Sequence, residues 1–168
     1  DIFPEKIPNI DLYMDQIITI FDENLKKNKR FKDDKLLTKT MINNYSKEGV
    51  IKPIKGKKYS REHIIQMLMV YSLKNTLTIQ EIKRVLSGVY QEEPFTADEL
   101  ESCYRRYLEF KQIERDTVPQ VIDEMIDRLP VEMNSKSDLL VLLLSVSAMS
   151  VYMKRMAENM IDSYFTQE

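Results

Sequence analysis

Along most of this chain of 168 residues, apolar side chains recur every three or four positions, which predicts helices rather than strands. Asn9 is a suitable N-cap, and after it Ile10, Tyr13, Met14, Ile17, Ile18, Phe21 and Leu25 share one face, predicting a helix from about Ile10 to Lys27. Periodicity is lost over the next ten residues and returns after Thr38, a second N-cap. A helix over Lys39–Glu48 is expected there, with Met41, Ile42 and Tyr45 inward and Gly49 closing it. Val50–Ile51 and Lys57–Tyr59 flank a Pro/Gly turn and read as the two strands of a short hairpin. Ser60 then caps a helix whose apolar residues, Ile64 to Leu73, point nearly all round. The TIQE capping box at Thr78–Glu81 opens a fourth helix, which Gly88 is expected to end.

Past a plausible linker from Val89 to Phe95, a second capping box, TADE at Thr96–Glu99, opens a long helical stretch. Pro119 is expected to kink or split it and Pro130 to stop it. A last helix is predicted over about Ser137–Phe165, apolar on every side at first. Its uncharged run, Leu139–Met153, is shorter than the roughly 20 residues a bilayer core requires, so the expectation is a buried helix and no membrane span. The chain thus reads as residues 1–90, a compact reader with the first four helices, and residues 91–168, a helical hairpin. The surplus of apolar stripe in that hairpin predicts a homodimer through the C-terminal helices.

Charge alters this picture because it is unevenly placed. From Lys26 to Arg61 there are 13 Lys or Arg against 3 Asp or Glu, while the remainder carries 12 against 24. A near-neutral total of −2 therefore hides a basic segment on an acidic body, a pattern that points to a nucleic-acid partner. The Lys26–Lys35 stretch is either a solvated linker or a phosphate-facing one. On the Lys39–Glu48 helix, Lys39, Thr40, Asn43, Asn44 and Lys47 lie away from the apolar side. Asn reads an adenine edge bidentately, and Lys and Thr reach phosphate oxygens or guanine. The hairpin adds Lys52, Lys55, Lys57 and Lys58, which would serve equally as protection of a strand edge.

Candidate chemistry is sparse. There is one histidine and one cysteine, so a disulfide framework and a Cys/His zinc site are both excluded, and a reducing, cytoplasmic setting is expected. No glycine-rich phosphate loop, nucleophile elbow or HExxH occurs, so the chain reads as no enzyme and as having no cofactor. His63 reads as structural and Cys103, on an apolar face beside Tyr104 and Tyr107, as an inert buried thiol. The ten methionines fill a core or line a pocket for a small-molecule effector.

In their shared order, KTMINNYSKEGVIKP, GKKYSREHI and LTIQEIKRVL resemble the DNA-binding domain of MerR-type transcriptional regulators over about fifty residues. The whole chain, including NIDLYMDQI, also resembles an uncharacterised bacterial family. The first resemblance implies a mainly α fold, a winged helix-turn-helix with a small β-hairpin wing, and a C-terminal helical hairpin that dimerises. It implies a sequence-specific regulator on double-stranded DNA, with a recognition helix in the major groove and the wing on the flanking backbone. The residues so implicated are Thr38, Lys39, Thr40, Asn43, Asn44, Tyr45 and Lys47, then Lys52, Lys55, Lys57, Lys58, Tyr59 and Arg61. Asn43 and Asn44 depart from the arginine and tyrosine usual at those positions, and the Lys26–Lys35 linker replaces a tight turn. A protein-interaction module that uses the helical hairpin without binding DNA is the alternative.

Overall fold

The computed structural model describes residues 1–92, 95–129 and 131–165, and it divides into two units, residues 1–108 and 109–165. The described residues form six α-helices and one two-stranded antiparallel sheet. In chain order they are β1 (Leu12–Tyr13), α1 (Met14–Leu25), α2 (Lys39–Lys47), β2 (Lys58–Tyr59), α3 (Arg61–Leu73), α4 (Ile79–Gln91), α5 (Ala97–Arg128) and α6 (Lys136–Tyr164).

Within the first unit, α1 starts four residues later than the apolar spacing predicts. Asn9 does not cap it. Instead the Gln16 side chain accepts from the Tyr13 backbone amide at 2.8 Å, and Leu12–Tyr13 are drawn into the sheet. Ile10 is left outside the helix and exposed, while Ile17, Phe21 and Leu25 are buried at i, i+4, i+8. The α2 helix follows expectation: the Thr38 hydroxyl accepts from the Met41 amide at 3.1 Å, and Gly49 ends the helix with φ +73°. That left-handed turn lets the Val50 amide bond the Tyr45 carbonyl at 2.9 Å.

The expected hairpin does not form. Val50 and Ile51 are buried at 1% exposure but make no strand, and β2 pairs with β1, Leu12 opposite Tyr59 and Tyr13 opposite Lys58. A hairpin this short has no stability of its own, and the more distant pairing is the one that also buries Leu12 and Tyr59.

Helix α3 is the most enclosed, with Ile64, Ile65, Gln66, Met67, Leu68 and Val70 all buried. His63 Nδ1 accepts from the Ser60 amide at 3.2 Å in its first turn, a structural role. Helix α4 begins at its capping box and continues through Gly88, which needs no positive φ there. Part of the expected linker, Val89–Gln91, is therefore helical. Pro94 and Pro130 lie outside the described residues. Helix α5 is not split: it runs through Pro119 as one element.

An ion network joins α3, the start of α5 and the N-terminal segment. Arg61 gives Nε and Nη2 to Glu101 at 2.8 and 3.2 Å and Nη1 to the Ile7 carbonyl at 2.6 Å. Arg105 bonds the same Glu101 at 2.7 Å and also Glu5. The Tyr104 hydroxyl donates to the Ile2 carbonyl at 3.0 Å, and Ile2 and Ile7 are buried beneath this strap.

In the second unit, α6 corrects a prediction. The Leu139–Met153 run is not buried: Leu140, Leu143, Leu144, Val151 and Tyr152 are each more than half exposed. By length and composition alone α6 is apolar enough to cross a membrane. Ile122 and Ile126 of α5, Leu129 just after it, and Leu142, Ser145 and Met149 of α6 line a shared groove of about 320 Å³.

Replacement of Arg61 by Ala is expected to lower stability on the order of 2 kcal/mol, because it leaves Glu101 short of its main charged partner. The Arg61 hydrogen bond, and after it that of Arg105, holds the Glu101 carboxyl below the ordinary carboxylate range. That stabilisation is present above about pH 4.3, the unfolded value, and fades as pH falls through the lowered folded value. In urea unfolding, Glu101→Gln is therefore expected to be clearly weaker than the parent at pH 7, with the gap narrowing on acidification.

Candidate nucleic-acid interface

Each turn of α2 presents donors on one side and apolar side chains on the other. Ile42 and Tyr45 are buried, whereas Thr40, Asn43, Asn44 and Lys47, spaced i, i+3, i+4, i+7, are all exposed. Those four form a continuous stripe of hydroxyl, amide and ammonium groups. No ion pair engages Lys47 among the described residues, whereas Lys39, a turn earlier, is held by Asp15 at 2.7 Å.

The segment from Lys52 into β2 approaches this helix through its buried residue. Tyr59 is 3% exposed, and burial pushes its pKa up, with the nearby Ser46 side chain pulling the other way. Lys58, next in the strand, points outward, with its ammonium 5.2 Å from the Tyr13 ring centre. Tyr13 and Asp15 thus sit at the start of α1 between Lys58 and Lys39 and link the first turn of α2 to the strand. Lys55 and Lys57 are exposed on the turn at Gly56, whose φ of +75° requires glycine. Neither is ion-paired among the described residues.

Five of the implicated residues are engaged within the protein rather than open to a ligand. Tyr45 is 8% exposed, and burial raises its pKa; it anchors the helix. Tyr59 is a core residue for the reason just given. Lys52 bonds Glu62 at 2.6 Å, lies 4.7 Å from the Tyr90 ring centre, and its amide donates to buried Gln66 at 3.0 Å. Arg61 is committed to Glu101 and Ile7. Thr38 is half-buried in its capping role. What remains exposed is Lys39, Thr40, Asn43, Asn44 and Lys47 on α2, with Lys55, Lys57 and Lys58 on the turn and strand.

Sequence reasoning passed over Tyr13, Asp15 and Phe31. Phe31 is 63% exposed beneath the Arg30 guanidinium at 5.1 Å, on a loop fixed by Asp34, whose carboxylate accepts from the Arg30 and Phe31 amides at 3.0 and 2.9 Å. An aromatic alone among six lysines and arginines was the available signal. Cys103, expected to be buried, is exposed. It lines a mostly apolar cavity of about 210 Å³ with Met69, Leu86, Leu100 and Tyr107. Among the described residues, no group of three or more His, Cys, Asp or Glu is placed to hold a metal ion.

No curated protein and no solved structure matches the chain. A family model described as "Domain of unknown function (DUF1836)" matches residues 2–107, nearly the whole first unit and with it every residue of the interface described above. By that match the chain belongs to the DUF1836 family.

Proposed function

We propose that this protein binds double-stranded DNA through the first unit and acts as a sequence-specific transcriptional regulator of the winged, MerR-like kind, without catalytic activity. The observation that carries the reading is the exposed Thr40, Asn43, Asn44 and Lys47 stripe on a capped, core-anchored helix. A rigid helix with outward amides suits the major groove, where Asn pairs with an adenine edge. Lys55, Lys57 and Lys58 would hold the phosphate backbone beside it. In this reading the wing is the turn from Pro53 to Lys57 with β2, steadied by β1 rather than by a strand at Val50–Ile51.

Electrostatics supports the same reading. Lys52 and Arg61 are neutralised by internal carboxylates, but Lys47, Lys55 and Lys57 carry no such partner among the described residues. Unpaired ammonium groups close to a helix with amide donors favour a polyanion. The exposed apolar surface of α6 favours a second reading, a protein-interaction module that leaves DNA alone.

A mobility-shift selection from pooled random duplexes at two salt concentrations separates the two readings; no retained duplex at low salt would reject DNA binding and leave the interaction module. With a selected site in hand, replacing Lys55, Lys57 and Lys58 by Ala is expected to weaken all duplexes alike. It should also flatten the log–log salt slope by about 0.9 for each phosphate no longer neutralised. Asn43→Ala and Asn44→Ala should instead reduce discrimination by about 1–3 kcal/mol for each base edge no longer read. Lys52→Ala is the control: it should lower thermal stability and leave the salt slope unchanged, since its ammonium already has Glu62.

A further inference from the structure

The loop between α1 and α2 is fixed around a side chain that it leaves in water. The Asp34 carboxylate takes both the Arg30 and the Phe31 amides, and the Asp34 amide returns to the Phe31 carbonyl at 3.1 Å, closing the tip on itself. Before the tip, Lys29 pairs with Asp22 of α1 at 3.1 Å and the Asn28 side-chain amide donates to the Tyr71 hydroxyl of α3 at 3.4 Å. After it, Leu36 and Leu37 are buried and the Lys74 ammonium bonds the Leu36 carbonyl at 2.8 Å. The loop is thus tied at both feet and at its tip, yet the ring held in place is Phe31, 63% exposed. Holding an apolar ring in water does nothing for folding, whereas a partner that covers the ring finds it already ordered.

Charge around the tip selects the partner. Lys26, Lys27, Arg30, Lys32 and Lys35 are exposed and make no ion pair among the described residues, and Phe31 is the one apolar residue from Lys26 to Lys35. The Arg30 guanidinium lies over the ring, 5.1 Å from its centre, so cation and aromatic are presented together. Thr38, three residues past Lys35, caps α2, and the loop therefore leads straight into the exposed donor stripe. We infer that Arg30 and Phe31 make a second contact on the duplex proposed for α2: Arg30 enters the minor groove flanking the major groove that α2 fills, and Phe31 wedges at a base step beside it. This contact rests on the DNA-binding reading and adds to it a site outside α2, the turn at Gly56 and β2. Thr40 is nine positions past Phe31, a span of at most roughly 30 Å, and the flanking minor groove lies about half a helical repeat, roughly 17 Å, from the major-groove centre. The tip has reach enough.

An anionic lipid surface fits the same tip less well. The lysines would bring it to the headgroups, but insertion needs an apolar face, and the loop offers a single ring while Leu36 and Leu37 turn into the core. A protein surface suits it no better, since lysine is depleted at the centre of such interfaces, where an aromatic anchor sits. On DNA the two kinds of side chain have separate partners, phosphates on either side of the groove for the cations and bases for the ring.

The chain has no tryptophan, so Phe31→Trp in the full chain supplies a single reporter at the tip. Its emission should be quenched when the duplex selected above is added, and its affinity should match the parent's. Phe31→Ala should weaken that duplex by about fivefold or more with the log–log salt slope unchanged, because no charge is lost. Arg30→Ala should instead flatten the slope by about 0.9. 2-Aminopurine walked through the duplex should brighten at one flanking step with the parent chain and not with Phe31→Ala. If Asn43→Ala blunts base discrimination while Phe31→Ala binds like the parent and the tryptophan emission does not respond, the loop contact is overturned and the reading of α2 stands. If no duplex is retained, both fall together. A blue shift of the tryptophan emission on phosphatidylglycerol vesicles, under conditions where the bound duplex leaves it unchanged, overturns the contact in favour of a lipid surface.

Discussion

Two residues of strand on each side decide how the first unit is put together. Because side chains alternate across a strand, the register Leu12 opposite Tyr59 sends both inward, and Tyr13 opposite Lys58 sends both out. Inward, Tyr59 closes over the core at 3% exposure. Outward, the Lys58 ammonium rests over the Tyr13 ring. A slip of one residue would exchange the two pairs, exposing Leu12 and Tyr59 and burying a lysine, so the register is firmly specified despite the sheet's small size. The start of α1, the body of α2 and the start of α3 all meet at this junction.

Helices whose signals are local were legible in the sequence. Thr38 with Gly49, Thr78 with Glu81 and Thr96 with Glu99 each carry their start or stop within a few residues, and the structure uses those residues as expected. The strand pairing was not legible, since β2 lies next in sequence to Val50–Ile51 but finds its partner more than forty residues away. The late start of α1 has the same origin: Tyr13 fits the helical stripe, yet the sheet claims it together with Leu12. Propensity yields when a distant contact buries more.

The basic segment was read as uniformly outward for a similar reason. A lysine in a sequence looks free until its carboxylate is found, and the partners of Arg61 and Lys52 are forty and ten residues off, both past the end of the Lys26–Arg61 segment. Removing those two cations from the ligand-facing set narrows the interface and also sharpens it. The remaining charges sit on α2 and on a turn next to it, while Arg61 serves to hold the N-terminal strap to α3 and α5. The positive excess from Lys26 to Arg61 is thus partly committed to internal ion pairs and partly exposed.

The two units differ most in how they satisfy their own apolar surface. The first unit buries Ile17, Phe21, Ile42, Ile64, Ile65 and Leu100 at 1% exposure or less, so its core is its own. In the second, Ile161 is the one apolar side chain buried among the described residues, although Leu139–Met153 is the most apolar run in the chain. Helix propensity can keep α6 helical but cannot keep water off it. The first unit, whose core is its own, is also the part that the family match spans.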